Sequence, residues 1–312
     1  MKQAIIDLGS NSIRLNVYEI TGNRFKLLFR AKNMAGLAGY VELGKLTQDG
    51  MVAAEAALLE FREILQSLSI DDVAVFATAS LRNVVNTAEA VRTLKQFTGF
   101  DIEVLTAEEE ALLSFRGAML DLPITDGAFA DIGGASTELI SFENGKPIHS
   151  TSCRIGSLSL YRRCVGKILP GHKSELRMSR VLDEELARLG DFSFDPRTPL
   201  VCVGGTARSA LRFARKLFDL PPESRTVSAD QVDEMLRLFL HNEKKTCRML
   251  LRMEPDRIHT MIPGLFILKR VLHLFESDEM IVSKYGVREG FLCTKIMQSQ
   301  TVIGIVTTSI KL

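Results

Sequence analysis

Two short stretches concentrate residues whose types and spacing could do chemistry. IIDLGSNSIRL, residues 5–15, ends an apolar run on Asp7 and passes through Gly9, Ser10, Asn11 and Ser12 to Arg14. ADIGGASTEL, residues 130–139, repeats the plan: Asp131, then Gly133, Gly134, Ala135, Ser136 and Thr137, then Glu138. Small residues let backbone N–H groups converge on an anion without obstruction, and the hydroxyls add donors. Asp7, Asp131 and Glu138 are hard oxygen ligands of the kind Mg2+ takes when phosphate oxygens complete its shell. A third stretch, Val203-Gly204-Gly205-Thr206-Ala207, follows an apolar run and opens a helical pattern, whose N-terminus favours anions. YGVREG, residues 285–290, is a fourth candidate. One such turn alone is usually a plain hairpin with a solvated acid. Three of them, two related as copies, point to the binding of phosphate and a metal ion.

The elements that must position these residues follow from that repetition. Asp131 follows Asp7 by 124 residues, and AIIDLGSNSIRLNVYE lies over AFADIGGASTELISFE. Each copy reads as a strand, an acid, a tight turn and a second strand of alternating polarity. A second turn follows in each, Thr21-Gly22-Asn23 or Glu143-Asn144-Gly145, and then a third strand, FKLLFRA or KPIHSTS. Helical patterns over about 47–68, 84–97, 173–189, from 108 and from 287 alternate with strands at 73–77, 102–105, 200–203 and 280–282. Self-similarity over so long a span predicts two domains of one plan. Paired βββαβα halves predict an α/β fold of two ribonuclease-H-like domains of the actin-like ATPase superfamily, facing a central cleft. DLPITDG sets the expected boundary: 1–122 and 123–312, with the last helix or tail able to pack back on the first domain. The apolar tail TVIGIVTTSIKL has no assigned place.

The totals narrow the class. With 312 residues, 46% apolar and 25% charged, the chain has material for two cores. A net charge of +1 gives no global field for nucleic acid or an anionic membrane. The five cysteines (153, 164, 202, 247 and 293) are scattered, without a CxxC pair, which suits a reducing compartment. No run suggests a signal peptide or membrane span, so a cytoplasmic protein is expected. The five histidines are isolated. GYVELGKL, residues 39–46, misses the phosphate-loop pattern because Leu46 supplies no hydroxyl, and it reads as a loop before the helix at 47.

DLGSNSIRL, FATASLRNVVN, EEEALL, DIGGASTE, VGGTA and YGVREG stand in the order and at about the separations of the exopolyphosphatase/guanosine pentaphosphate phosphatase (Ppx/GppA) family, which the whole chain resembles. The resemblance implies removal of the terminal phosphate of inorganic polyphosphate or pppGpp by water, with Mg2+ or Mn2+. Such hydrolysis needs a base or water-orienting carboxylate and cations on the phosphoryl oxygens. Glu108, Glu109 and Glu110 open a helix, where acids are also simply good helix starters, and the pattern alone leaves the three equivalent. The resemblance carries the base onto Glu110, with Glu109 next. Arg82 follows the 73–77 strand and its planar fork suits a phosphate oxygen; the resemblance makes it a catalytic partner. Arg14 either touches phosphate or braces its loop, and Arg288 could pair with Glu289.

Departures from the family pattern lie at Ala135, where a third glycine is usual, and at Asn33–Val41, which lacks a basic residue. The methyl of Ala135 strains the loop only if its φ is positive. The chain matches the short, two-domain form, without a further C-terminal helical module. Its expected partners are polyphosphate or guanosine penta- or tetraphosphate, with no nucleic acid and no membrane, and a homodimer as the oligomer. A low-turnover sensor of such anions is the alternative function, followed by an actin-like or sugar-kinase-like ATPase.

Overall fold

A computed structural model describes residues 1–189 and 199–298, and the backbone of 303–305. The chain divides into two compact units, Met1–Leu120 with Val287–Leu312, and Asp121–Gly286.

The first unit opens with the strands β1 (Lys2–Leu8), β2 (Ile13–Thr21) and β3 (Arg24–Asn33), then a 3-10 turn at Leu37–Tyr40. The small hairpin β4 (Val41–Glu42) and β5 (Lys45–Leu46) leads into α1 (Gln48–Ser67), then β6 (Val73–Ala77), α2 (Ala79–Arg82), α3 (Thr87–Thr98), β7 (Ile102–Val104) and α4 (Ala107–Met119). The Thr47 side chain accepts from Gly50 N at 3.2 Å and starts α1, whose Met51, Ala54, Leu58, Phe61 and Leu65 are buried in the core. β1 pairs antiparallel with β2 and parallel with β6, and β6 runs parallel with β7. Being central, β1 is buried from Gln3 to Leu8, which accounts for its nearly continuous apolar run.

The second unit repeats the plan with β8 (Gly127–Ile132), β9 (Thr137–Glu143), β10 (Lys146–Cys153), α5 (Ser157–Cys164), α6 (His172–Ala187), β11 (Leu200–Val203) and α7 (Gly204–Leu217). It continues through β12 (Thr226–Ser228), α8 (Ala229–His241), α9 (Glu243–Met253), α10 (Met261–Leu274) and β13 (Glu279–Val282). Its sheet order is β10-β9-β8-β11-β13-β12, against β3-β2-β1-β6-β7 in the first unit. The repeat read from the turns is therefore a repeat of whole topology: a three-stranded meander continued by parallel strands. No helix among the described residues is long and apolar enough to cross a membrane.

The chain then returns to the first unit through α11 (Val287–Phe291) and a π-helical turn, Leu292–Ile296; β14 (Ile303–Ile305) adds parallel to β3. Residues from Val287 group with the first unit rather than with 121–286. The reason is local chemistry. Glu289 is a buried carboxylate, and Tyr18 Oη donates to it at 2.6 Å while accepting from Asn16 Nδ2 at 2.6 Å. Phe291 stacks on Phe76 with ring centroids 4.8 Å apart. Inside the second unit, Asp121 Oδ2 accepts from Lys284 N at 2.8 Å, Ser283 Oγ at 3.4 Å and Arg225, so it ties together the two segments by which the chain enters and leaves. Apart from β14, the tail from Ser299 lies outside the described residues.

Two outcomes test this closure. A Cβ on Gly290 would lie 1.8 Å from Leu113 O of α4, so Gly290→Ala should cost about 1–3 kcal/mol in urea denaturation; an unchanged midpoint would contradict the packing of α11 on α4. Complete burial, and then the charge of Glu289, push the Tyr18 phenol well above its ordinary range. The folded state therefore holds this proton more tightly than the unfolded chain, and stability should fall as pH rises past about 10. The fall should be smaller in Tyr18→Phe.

Candidate active site

In the first unit the carboxyl ends of three parallel strands stand side by side, with Leu8 beside Ala77 and Ala77 beside Val104. The turns that follow them carry the candidate residues, at the sheet edge where open α/β folds bind ligands. Ser80 Oγ and Thr78 N both donate to Leu8 O, and Leu105 N donates to Ala77 O at 2.9 Å, so the three turns are bonded to one another's strands.

Gly9 must be glycine, since a Cβ there would lie 2.9 Å from Ser12 O. The carbonyls of Ser10 and Asn11 accept from Ala38 N at 2.9 Å and Gly36 N at 3.1 Å. A trans peptide directs its C=O and N–H oppositely, so the N–H groups of Asn11 and Ser12 point away from the 36–38 segment. That is the work of the stretch lacking the expected basic residue: it orients the turn by backbone bonds. Arg14 Nε donates to Ser12 Oγ at 3.1 Å and so braces the loop. Arg288 pairs with Asp7, Nη1 to Oδ2 at 3.5 Å, while Glu289 accepts from Tyr18.

The three glutamates separate clearly. Glu108 is exposed. Glu109 closes a capping box, accepting from Thr106 N at 2.9 Å while its own N donates to Thr106 Oγ1 at 3.1 Å; those bonds hold its carboxyl below the ordinary range. Glu110 is 9% exposed and accepts from Arg82 Nη1 at 2.6 Å. The same guanidinium nitrogen donates to Leu105 O at 3.1 Å. Arg82 therefore both compensates the buried carboxylate and fixes where it points. A charged hydrogen bond of this kind contributes about 1.5–3 kcal/mol.

In the second unit Gly133 N donates to Ser136 O at 3.0 Å to close the turn. The carbonyls of Gly133 and Gly134 are taken by the start of α5: Ser157 N to Gly133 O, and Leu158 N and Ser159 N to Gly134 O, all at 2.9 Å. By the same peptide geometry, the N–H groups of Gly134 and Ala135 face away from α5. Ala135 is not among the residues with positive φ, so its methyl introduces no backbone strain. Ser136 is buried, and Thr137 donates to Ile155 O at 2.7 Å, a structural use of that hydroxyl.

Asp131 stands opposite Glu138 in the β8–β9 ladder and beside Val203 in the β8–β11 ladder. Cross-strand partners lie on one face with their Cβ atoms roughly 5 Å apart. Glu138, 1% exposed, accepts from Ser152 Oγ at 3.2 Å. Two neighbouring carboxylates suit a hard divalent cation. Among the described residues no three His, Cys, Asp or Glu side chains form a ready cage. Asp7, by contrast, is already balanced by Arg288. The adjacent thiols are not candidates. Burial, and then Glu138, push Cys153 up to about 12, while burial and then Asp131 raise Cys202.

The third turn packs directly on this pair. Gly204 has φ +84°, and a Cβ on it would lie 2.6 Å from Asp131 Oδ1. The place a Gly205 side chain would take is filled by the Arg257 guanidinium, whose Nη2 lies 1.5 Å from the Cβ position. Thr206, 2% exposed, packs against Gly264 of α10, where a Cβ would come within 2.7 Å of Thr206 Cγ2. Two functional candidates were thus absent from the sequence reading. Arg257 belongs to no glycine motif. Gly156, whose Cβ would lie 2.5 Å from Gly134 C, is required by close approach alone.

Two α/β units of one plan, with glycine turns and buried carboxylates at strand ends, define a duplicated ribonuclease-H-like fold. The profile of the Ppx/GppA phosphatase family matches residues 16–299, and the chain belongs to that family. A Haemophilus influenzae protein named "Putative exopolyphosphatase" is 28% identical over 298 residues, covering 93% of this chain and 90% of that one. A crystal structure of an exopolyphosphatase from Cytophaga hutchinsonii shares the fold with a TM-score of 0.84 at 24% identity, covering 96% of this chain and 99% of that one. The Aquifex aeolicus Ppx/GppA family member gives a TM-score of 0.76 at 24% identity, with the same coverage.

Gly156→Ala should displace the Gly133–Ala135 turn and weaken binding of inorganic phosphate roughly tenfold, a 1.4 kcal/mol loss. Gly166→Ala, where an added Cβ meets nothing within 4 Å, is the control. Equal calorimetric affinities for the two variants would remove the turn from the site.

Proposed function

We propose that this protein hydrolyses the terminal phosphoanhydride bond of inorganic polyphosphate, with pppGpp as the competing substrate of the same chemistry. The observation that carries the reading is the buried Arg82–Glu110 pair at the carboxyl edge of β6 and β7. Glu110 takes a proton from the attacking water; the water oxygen bonds to the terminal phosphorus and the bridging P–O bond breaks, releasing phosphate and a chain one unit shorter. Arg82 holds the carboxylate in place and brings its positive charge to the phosphoryl oxygens. The outward N–H groups of Asn11 and Ser12, and in the second unit those of Gly134 and Ala135, are donors for phosphate oxygens. In the second unit Asp131 and Glu138 would hold Mg2+ or Mn2+, which would supply positive charge to phosphate oxygens bound at that unit's turns. Arg257, over Gly205, adds a fixed cation.

The low-turnover sensor rests on Ala135 and on the 33–41 stretch; Ala135 is not among the residues with positive φ, so its methyl adds no backbone strain, and turnover separates the two readings. Phosphate release from polyphosphate and from pppGpp, with and without Mg2+, tests the assignment. Glu110→Ala should lose about 10²–10⁴-fold in kcat. Arg82→Lys, which cannot reproduce the planar fork, should recover only part of the loss of Arg82→Ala. Equal rates for wild type and Glu110→Ala would overturn the reading.

A further inference from the structure

The helix α9 carries a charge pattern that the fold does not explain. Lys244, Arg248 and Arg252 recur every four residues and so stand one above another, with Lys245 beside them. All four are exposed, while Thr246 and Leu250 on the opposite side are buried. None of the four makes an ion pair among the described residues. Among the described residues some surface cations of this unit are paired, such as Arg163 with Glu185 and Lys269 with Asp233, and others, such as Lys146 and Lys173, are not; what sets α9 apart is the row of three at four-residue spacing.

The pattern costs the helix stability. Like charges four apart repel by about 0.2–0.5 kcal/mol per pair, and Lys244 and Lys245 sit in the first turn, the end at which the helix dipole disfavours cations. The position of α9 indicates what offsets this. Glu254, just past its end, pairs with Arg212 of α7 at 2.7 Å, which fixes the C-terminal end of α9 against the helix that begins at Gly204. Three residues later comes Arg257, over Gly205. One continuous segment thus runs from the third glycine turn outwards along a row of uncompensated cations. From Arg252 to Lys244 the row extends about 12 Å at 1.5 Å per residue.

We infer that the basic face of α9 is a binding track for the internal phosphates of an extended polyphosphate chain, whose end lies at the Gly204–Thr206 turn of the same unit. The inference rests on the proposed function for its substrate class and deepens it: a linear polyanion engages the track, whereas a short phosphate ester ends before it. The track acts on affinity and on the rate of capture, through a local field that salt screens.

The test replaces the four cations together (Lys244→Gln, Lys245→Gln, Arg248→Gln, Arg252→Gln) in a Glu110→Gln chain, so that turnover does not complicate binding. Affinity for labelled long-chain polyphosphate should fall at least about tenfold and its salt dependence should flatten, while tripolyphosphate affinity stays within about twofold. Thermal stability should hold or rise, because the repulsion is relieved, which separates a lost track from a misfolded protein. The same substitutions with Glu110 retained should raise KM for long chains and leave tripolyphosphate hydrolysis unchanged. Absence of hydrolysis in wild type would sink the proposed function while the binding comparison still decides the track. Unchanged long-chain affinity would overturn the inference, as would equally effective competition by single-stranded DNA of matched charge.

Discussion

A trans peptide unit cannot present its carbonyl and its N–H to the same side, and the anion binding proposed for both units depends on that constraint. In each turn the carbonyls are engaged by neighbouring backbone: Gly36 and Ala38 in the first unit, the first turn of α5 in the second. Once they are engaged, the N–H groups have a fixed direction without any cation or side chain to hold them. The two units reach this result with unrelated braces, a 3-10 segment in one case and a helix N-terminus in the other. The sequence around the turns can therefore diverge while their function is kept. The close approaches at Gly9 and Gly156 are the steric counterpart of the same arrangement.

A second constraint governs the carboxylates. A buried ionised group is costly unless it is paired and hydrogen-bonded, and each candidate has its own solution. Glu110 has Arg82, Asp7 has Arg288, and Glu289 has the Tyr18 hydroxyl. Asp131 and Glu138 face each other across a ladder, where like charges repel; Glu138 has the Ser152 hydroxyl, and a bound cation would relieve the repulsion. Removing Arg82 therefore costs more than a substrate contact, because Glu110 is left buried without its counter-charge.

What could be read from residue order was what is local or repeated. The strands around Asp7 and Asp131, the caps at Thr47 and Thr106, and the duplication itself follow from patterns within a few residues or from comparing the two halves. What could not be read depends on contacts between distant residues. Three successive glutamates look alike in sequence and differ only in what surrounds them: water for Glu108, the helix start for Glu109, Arg82 for Glu110. Arg257 and Gly156 carry no motif, because each is defined by the backbone it meets. The contacts that hold α11 were similarly hidden, since nothing in YGVREG says that Phe291 will stack on Phe76.

The return of α11 to the first unit makes the unit carrying the N-terminus the later one to be completed. A ribosome finishes residues 121–286 before it makes the segment that closes the first unit, reversing the usual order in which the leading domain folds first. Asp7 gains its counter-charge only when Arg288 emerges, 281 residues later. Until then the nascent first unit holds Tyr18 without its acceptor and Phe76 without its aromatic cover. It is in this interval that the growing chain most needs protection from aggregation and misfolding.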